Sequence, residues 1–261
     1  MPAEDLRRGF TIAVSGKGGV GKTAVSALLV RHLSRRGGVL AIDADPDSNL
    51  PQALGVNAET TVGEAREAIL NAPARSRVAA DKASALRQAL AERVEETYDF
   101  DLIVMGRSEG PGCYCAVNSI LREVIDSRAE SYDFTVIDCE AGLEHLSRRT
   151  TRDVDVLIAV SDPTKNGLLT ARRVVDLTRE LMVDFGTSLV VVNRVTPENR
   201  PWADSLAREL GVEVAYYLPY DPLVAEYDMQ GKPLSGLPPH SPLVLAVAAL
   251  AEGVLSAAAH T

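Results

Sequence analysis

Gly16-Lys17-Gly18-Gly19-Val20-Gly21-Lys22-Thr23 fits the pattern GxxxxGK[ST], a spacing that builds a cradle for phosphate. The glycines let the backbone curl until its N–H groups point inward at phosphate oxygens. The helix that follows adds the positive end of its dipole. At this spacing Lys22 reaches the β- and γ-phosphates and Thr23 offers its hydroxyl to Mg²⁺. Ala24, the next residue, belongs to the same nucleotide-binding stretch.

Carboxylates form the second constellation. Asp43-Ala44-Asp45-Pro46-Asp47-Ser48-Asn49 follows one apolar run, and Asp138 closes another, Val136-Ile137-Asp138. Acidic groups at the carboxyl ends of strands face the ligand crevice of a doubly wound sheet. Asp138 takes the position of a magnesium-side carboxylate. A third constellation is Gly110-Pro111-Gly112-Cys113-Tyr114-Cys115, whose glycines and proline predict a turn. Two thiols one residue apart supply half of a tetrahedral site, and a symmetric partner would supply the other half. From spacing alone, a shared metal site and a pair of incidental loop cysteines both stand.

The elements that must position these groups read as alternating strands and helices. Apolar runs rich in Val and Ile predict strands at Phe10–Ser15, Val39–Asp43, Asp101–Gly106, Phe134–Cys139, Asp155–Ser161, Ser188–Asn193 and Glu213–Leu218. Helical periodicity predicts Lys22–Arg36, Ser84–Thr97, Val117–Arg128, Gly167–Phe185, Pro201–Leu210 and a final apolar packing helix over Pro242–Ser256. Thr61 and Glu64 have the spacing of a capping box. The fold class is therefore α/β: a doubly wound, mainly parallel sheet with helices on both faces, of the P-loop NTPase kind. No repeat or linker divides the chain, so residues 1–261 are expected to form one domain with a flexible stretch at 1–9.

Composition narrows the function. The net charge of -9, from 27 basic and 36 acidic residues, is poor for non-specific nucleic-acid binding. No apolar stretch reaches the length of a membrane span, and the start lacks the pattern of a signal peptide, so a cytoplasmic protein without membrane or nucleic-acid partners is expected. Three cysteines, two of them one residue apart, suit metal or redox chemistry better than a disulfide framework.

Lys17, a second lysine just after the first glycine, gives the loop the form KGGVGK[ST]. This deviant Walker A loop resembles that of the dimeric ATPases that include MinD, ParA, the nitrogenase iron protein and the tail-anchored-protein targeting ATPases, the SIMIBI class. The resemblance implies ATP as substrate, Mg²⁺ as cofactor, a homodimer, and Lys17 acting across the interface beside Lys22. It places Asp45 where the attacking water is oriented and the magnesium shell is touched, with Asn49 ending that first switch. Cys139-Glu140-Ala141-Gly142 corresponds to the second switch. Asn193 resembles the adenine-contacting asparagine, and Leu218-Pro219-Tyr220-Asp221 the second base-edge segment.

A narrower resemblance rests on Met105-Gly106-Arg107, on Gly110 to Cys115, and on Asp138-Cys139-Glu140-Ala141-Gly142-Leu143-Glu144-His145-Leu146. These segments are similar to the CooC family, accessory ATPases that mature nickel-containing carbon monoxide dehydrogenase. The similarity runs roughly from Phe10 to Leu234. It implies an ATP-hydrolysing metallochaperone whose Cys113 and Cys115 bind Zn²⁺ or Ni²⁺ at the dimer interface, with a nickel enzyme as client. Cys139 reads as a buried apolar side chain, with a third metal thiolate as the sharper idea, and His145 as structural or solvated. Two other readings share the phosphate loop. A MinD- or ParA-like positioning ATPase would want a basic amphipathic C-terminal helix or a basic patch. An iron–sulfur-bridged electron-transfer ATPase would hold a cluster between the cysteine pairs.

Overall fold

A computed structural model describes residues 9–58, 61–64, 94–106, 131–140, 154–180 and 185–258. Among them, β1 (Phe10–Gly16), β2 (Val39–Asp43), β3 (Glu95–Glu96), β4 (Asp101–Val104), β5 (Phe134–Asp138), β6 (Val154–Ser161), β7 (Phe185–Val195) and β8 (Val214–Pro219) form one eight-stranded sheet, ordered β3-β4-β2-β5-β1-β6-β7-β8. Every pairing is parallel except the short edge pairing of β3 with β4. Seven consecutive buried residues in β1 show why its sequence does not alternate: both faces of a central parallel strand are covered.

One face carries α1 (Lys22–Leu33) and α6 (Pro242–Ala258). Leu28, Leu29 and Leu33 of α1 join Leu243, Val247, Leu250 and Val254 of α6 in the core that also takes Ile12 and Val14. The other core cluster joins Ala13, Ile42, Ile137 and Leu157 to Ala171 and Val174 of α3 (Lys165–Glu180). The final helix is thus a packing helix, two residues longer than expected at its end. No helix among the described residues is long and apolar enough to cross a membrane.

The expected strands all form, Val39–Asp43 with the expected bounds and the others with one or both ends shifted by one to three residues. The expected helix Ser84–Thr97 does not hold at its end, because Glu95 and Glu96 pair with Leu102 and Asp101. Edge hydrogen bonding overrides the helical preference of glutamate there. Likewise the expected helix Gly167–Phe185 does not hold at its end, because Phe185 already pairs with Val154 in β7. Three short elements had no helical periodicity to announce them: α2 (Leu50–Leu54), α5 (Pro222–Met229) and a 3₁₀ turn at Leu234–Gly236. The expected helix over 201–210 is α4 (Arg200–Glu209). The Thr61–Glu64 capping box is reciprocal: Glu64 N–H donates to Thr61 Oγ1 at 3.2 Å, and Thr61 N–H donates to Glu64 Oε2 at 2.8 Å. The expected helix Val117–Arg128 lies outside the described residues.

Candidate functional site

β1 lies mid-sheet between β5 and β6, so the loop that leaves its carboxyl end opens where the chain's crossovers diverge to the two sides. The loop's tight path depends on absent side chains. A Cβ on Gly16 would run into the Val160 carbonyl, and Gly21, at φ 96, caps α1 from the left-handed region. Val20 is driven into the core and pegs the loop, whereas Lys17, Gly18 and Gly19 are exposed. Lys22 is the loop's buried cation, 7% exposed, with Nζ 4.0 Å from Asp45 Oδ2.

Two buried carboxylates stand beside it. Asp43 and Asp138 are register partners on β2 and β5, so their side chains share a face. Asp43 accepts the N–H of Asp45 at 3.1 Å and of Leu50 at 2.9 Å, which ties down the loop carrying Asp45. Burial, reinforced by the neighbouring Asp138 charge, pushes the Asp43 carboxyl up to about 7. Asp138 accepts the Ser26 hydroxyl on Oδ1 at 3.1 Å, but its buried Oδ2 has no hydrogen-bond partner among the described residues. Burial raises Asp138 to about 6, against the pull of the Thr23 hydroxyl, the Lys22 ammonium and the Ser26 hydroxyl.

A buried oxygen without a partner is costly unless something binds it. Its surroundings are hard oxygen donors: Asp138 Oδ2, the Thr23 hydroxyl and, across from Lys22, Asp45. That set suits Mg²⁺, which is commonly held by one or two carboxylates together with waters and substrate phosphates. Asp43 was not singled out as a site residue. Its position in Asp43-Ala44-Asp45 was a signal, but only burial separates the acid that anchors the loop from the acid that faces the ligand.

A cavity of about 530 Å³ runs from the phosphate loop to the far end of the sheet. Gly18, Gly19, Gly21, Lys22, Thr23 and Ala24 line one end, Asp45 and Asn49 one side, and Asn193, Pro219, Tyr220 and Asp221 the other end. Gln52 and Ala53 of α2, Val224, Ala225 and Asp228 of α5, and Leu243 of α6 add to the walls, with Asp47, Arg194, Lys232 and Leu234 between them. The wall residues of α2 and α5 were not foreseen, because those short helices were not, whereas Leu243 sits on the expected final helix.

Family comparison decides what this cavity belongs to. The family model for the CobQ/CobB/MinD/ParA nucleotide binding domain matches residues 11–234. The chain belongs to this nucleotide-binding family. An uncharacterised ATP-binding protein of Methanocaldococcus jannaschii is 49% identical over 94% of this chain and 98% of its own length. The carbon monoxide dehydrogenase accessory protein CooC of Rhodospirillum rubrum is 37% identical over 65% of this chain and 69% of its own. Among solved structures, the Pyrococcus horikoshii septum site-determining protein MinD, complexed with Mg-ADP, superposes with a TM-score of 0.66 at 26% identity, covering 94% of this chain and 95% of that one. The MinD/ParA fold is therefore the one expected from the sequence.

Within this family frame, the base-end residues behave unequally. Tyr220 is half exposed and its N–H donates to the Val195 carbonyl at 2.8 Å. Asp221 lines the cavity, yet its carboxylate is fully engaged elsewhere. Oδ1 accepts the Leu223 N–H at 3.0 Å and caps α5, while Oδ2 accepts the Ser241 hydroxyl at 2.5 Å and the Leu243 N–H at 3.3 Å at the start of α6. Asp221 therefore shapes the wall and does not present a free carboxylate to a base. Asn193 is also engaged, donating from Nδ2 to the Val20 carbonyl at 2.9 Å.

The Cys139-Glu140 segment is tied to β1, the strand that leads into the phosphate loop. Cys139 N–H donates to the Val14 carbonyl at 2.9 Å, and the Ser15 hydroxyl donates to the Glu140 carbonyl at 3.0 Å. Cys139 itself is fully buried in the cluster with Ala13, Ile42 and Met105, and burial pushes its thiol far up. A thiol held protonated in an apolar core fits the reading as a small hydrophobe and not a third metal thiolate. Cys113, Cys115, Gly142 and His145 lie outside the described residues. Among the described residues no group of three or more His, Cys, Asp or Glu is arranged to hold a metal ion.

Proposed function

We propose that the chain is a homodimeric, magnesium-dependent ATPase that works as a metallochaperone, helping to insert nickel into the active-site cluster of carbon monoxide dehydrogenase. The observation that carries the ATPase part is the conjunction of a phosphate loop, a buried lysine and a buried Asp138 oxygen with no partner among the described residues. The client is supported by similarity to the protein named CooC and by the Gly110 to Cys115 segment, whose Cys113 and Cys115 would hold Zn²⁺ or Ni²⁺ between two subunits.

The chain's own residues divide the work. Loop amides from Gly16 to Thr23 grip the triphosphate, and Lys22 lies along the β- and γ-phosphates. Thr23, Asp138 and Asp45 would hold Mg²⁺, directly or through water, and the ion would neutralise developing phosphate charge. Asp45 orients the attacking water from a loop that Asp43 anchors. Lys17, exposed and outside the cavity lining, is free to enter a partner's site. A cation delivered only on dimer closure would make hydrolysis wait for assembly.

The test is phosphate release and elemental analysis on purified protein, without nucleotide, with ADP and with ATP. Hydrolysis by the parent and its loss in Lys22→Ala is the expected result. Zinc or nickel should travel with the dimer and be lost in Cys113→Ser/Cys115→Ser. A double cysteine variant that keeps parental metal content removes the metallochaperone reading. ATP-dependent pelleting with liposomes or DNA would favour a positioning ATPase instead, and visible iron–sulfur absorption an electron-transfer one.

A further inference from the structure

The side chain of Asn193 connects two ends of the cavity that lie 173 residues apart in sequence. It is 4% exposed. Its Nδ2 donates to the Val20 carbonyl at 2.9 Å, while its Oδ1 accepts the N–H of Arg194 at 2.8 Å. Arg194 adopts φ 59, a left-handed conformation uncommon for a residue with a side chain. A Cβ on Gly21 would come within 2.5 Å of Nδ2, so the amide lies flat against the loop with no room between them.

The Val20 carbonyl and the Gly21 N–H belong to one planar trans peptide, in which C=O and N–H point in opposite directions. Fixing the oxygen therefore fixes the direction of the N–H. Val20's side chain, 1% exposed, anchors one side of that peptide in the core, and Gly21 has no side chain to help on the other. The Asn193 amide supplies the second anchor. A base-reading asparagine would keep its amide for the ligand, whereas here one N–H and the carbonyl oxygen are already committed within the protein.

We propose that Asn193 is a positioning residue for the phosphate loop. It holds the Val20–Gly21 peptide so that a loop amide is preorganised for a phosphate oxygen, and through it the base end of the cavity is mechanically joined to the phosphate end. This rests on the nucleotide-binding reading of the cavity. It makes a specific claim that base contact does not: a ligand with phosphates and no base must also depend on Asn193.

The probe is magnesium tripolyphosphate, measured beside ATP by calorimetry on the parent, Asn193→Asp and Asn193→Ala. Asn193→Asp keeps the volume and the acceptor for Arg194 N–H, and turns the donor facing Val20 into a second acceptor. Tripolyphosphate affinity should fall about tenfold or more in both variants, with ATP falling by a similar factor. A loss confined to ATP, with tripolyphosphate held at the parental value, overturns the proposal and leaves Asn193 a base contact. A lower melting temperature with both affinities unchanged also overturns it, leaving a role in folding alone. Asn193→Ala removes the donor without adding charge and carries the test if the aspartate variant does not fold. A parent that binds neither ligand defeats the nucleotide-site reading itself, which is a separate and recognisable failure.

Discussion

Asp138 and Asp221 are both buried aspartates at or just beyond the carboxyl ends of strands, Asp221 lining the cavity and Asp138 set behind the Lys22 and Thr23 that line it, yet their surroundings use them in opposite ways. Asp221 receives two backbone N–H groups and one hydroxyl and leaves no oxygen idle. Asp138 receives the Ser26 hydroxyl on Oδ1 and no hydrogen bond on Oδ2 among the described residues, with Asp43 as its strand neighbour. Saturated, a buried carboxylate is architecture, here joining the starts of two helices. Left short of partners, it is poised for a ligand, and the folded chain bears the cost until one arrives.

The contrast can be broken most sharply at the phosphate end. Asp138→Asn or Lys22→Ala should lower ATP hydrolysis by about a hundredfold or more while the nucleotide-free fold survives, read as phosphate release at saturating ATP. If Asp138→Asn hydrolyses ATP at the parental rate, its idle oxygen is not part of the site. Asp221→Ala should act the other way round. Leaving Leu223 N–H, Leu243 N–H and the Ser241 hydroxyl without an acceptor should cost about 3 kcal/mol of stability in a urea melt, with any loss of ATP affinity secondary to the distorted wall.

A smaller effect follows from the raised carboxyls. Asp43 moves from 3.8 to about 7 and Asp138 from 3.8 to about 6, so the folded chain holds these protons more tightly than the unfolded one. Their stabilising contribution is complete below the unfolded value and is lost as pH rises through the folded values. The nucleotide-free protein should therefore lose stability between about pH 4 and pH 7 on their account, and Asp138→Asn should flatten that slope in urea midpoints measured across the range. At the bottom of the scale, Lys165→Ala, which removes the exposed 3.4 Å pair with Glu209, should change stability by less than about 0.5 kcal/mol.

Legibility in the sequence tracks the same divide between local and distant partners. The phosphate loop and the carboxylates of Asp45 and Asp138 were readable because a strand end and a contiguous motif carry them. The parallel strands were readable because burial on both faces leaves unbroken apolar runs. The caps formed by Asp221 were not, since its acceptors meet donors at Ser241 and Leu243 across an intervening helix. Nor was the contact of Asn193 with Val20, whose partners come together only when β7 packs into the sheet beyond β6. Helix α5, with no fully buried residue and only Leu223, Val224 and Tyr227 leaning on the core over two turns, carried too short a pattern to detect. The strand at Glu95–Glu96 exists only through its pairing with β4.

The central claim is that Asp138 completes a magnesium-triphosphate site. Calorimetric titration of ATP into the parent and into Asp138→Asn, each with and without Mg²⁺, tests it most directly. The account predicts that Mg²⁺ strengthens ATP binding to the parent and strengthens it far less in Asp138→Asn. Equal strengthening in the two proteins, or no uptake of ATP by the parent at all, would contradict it.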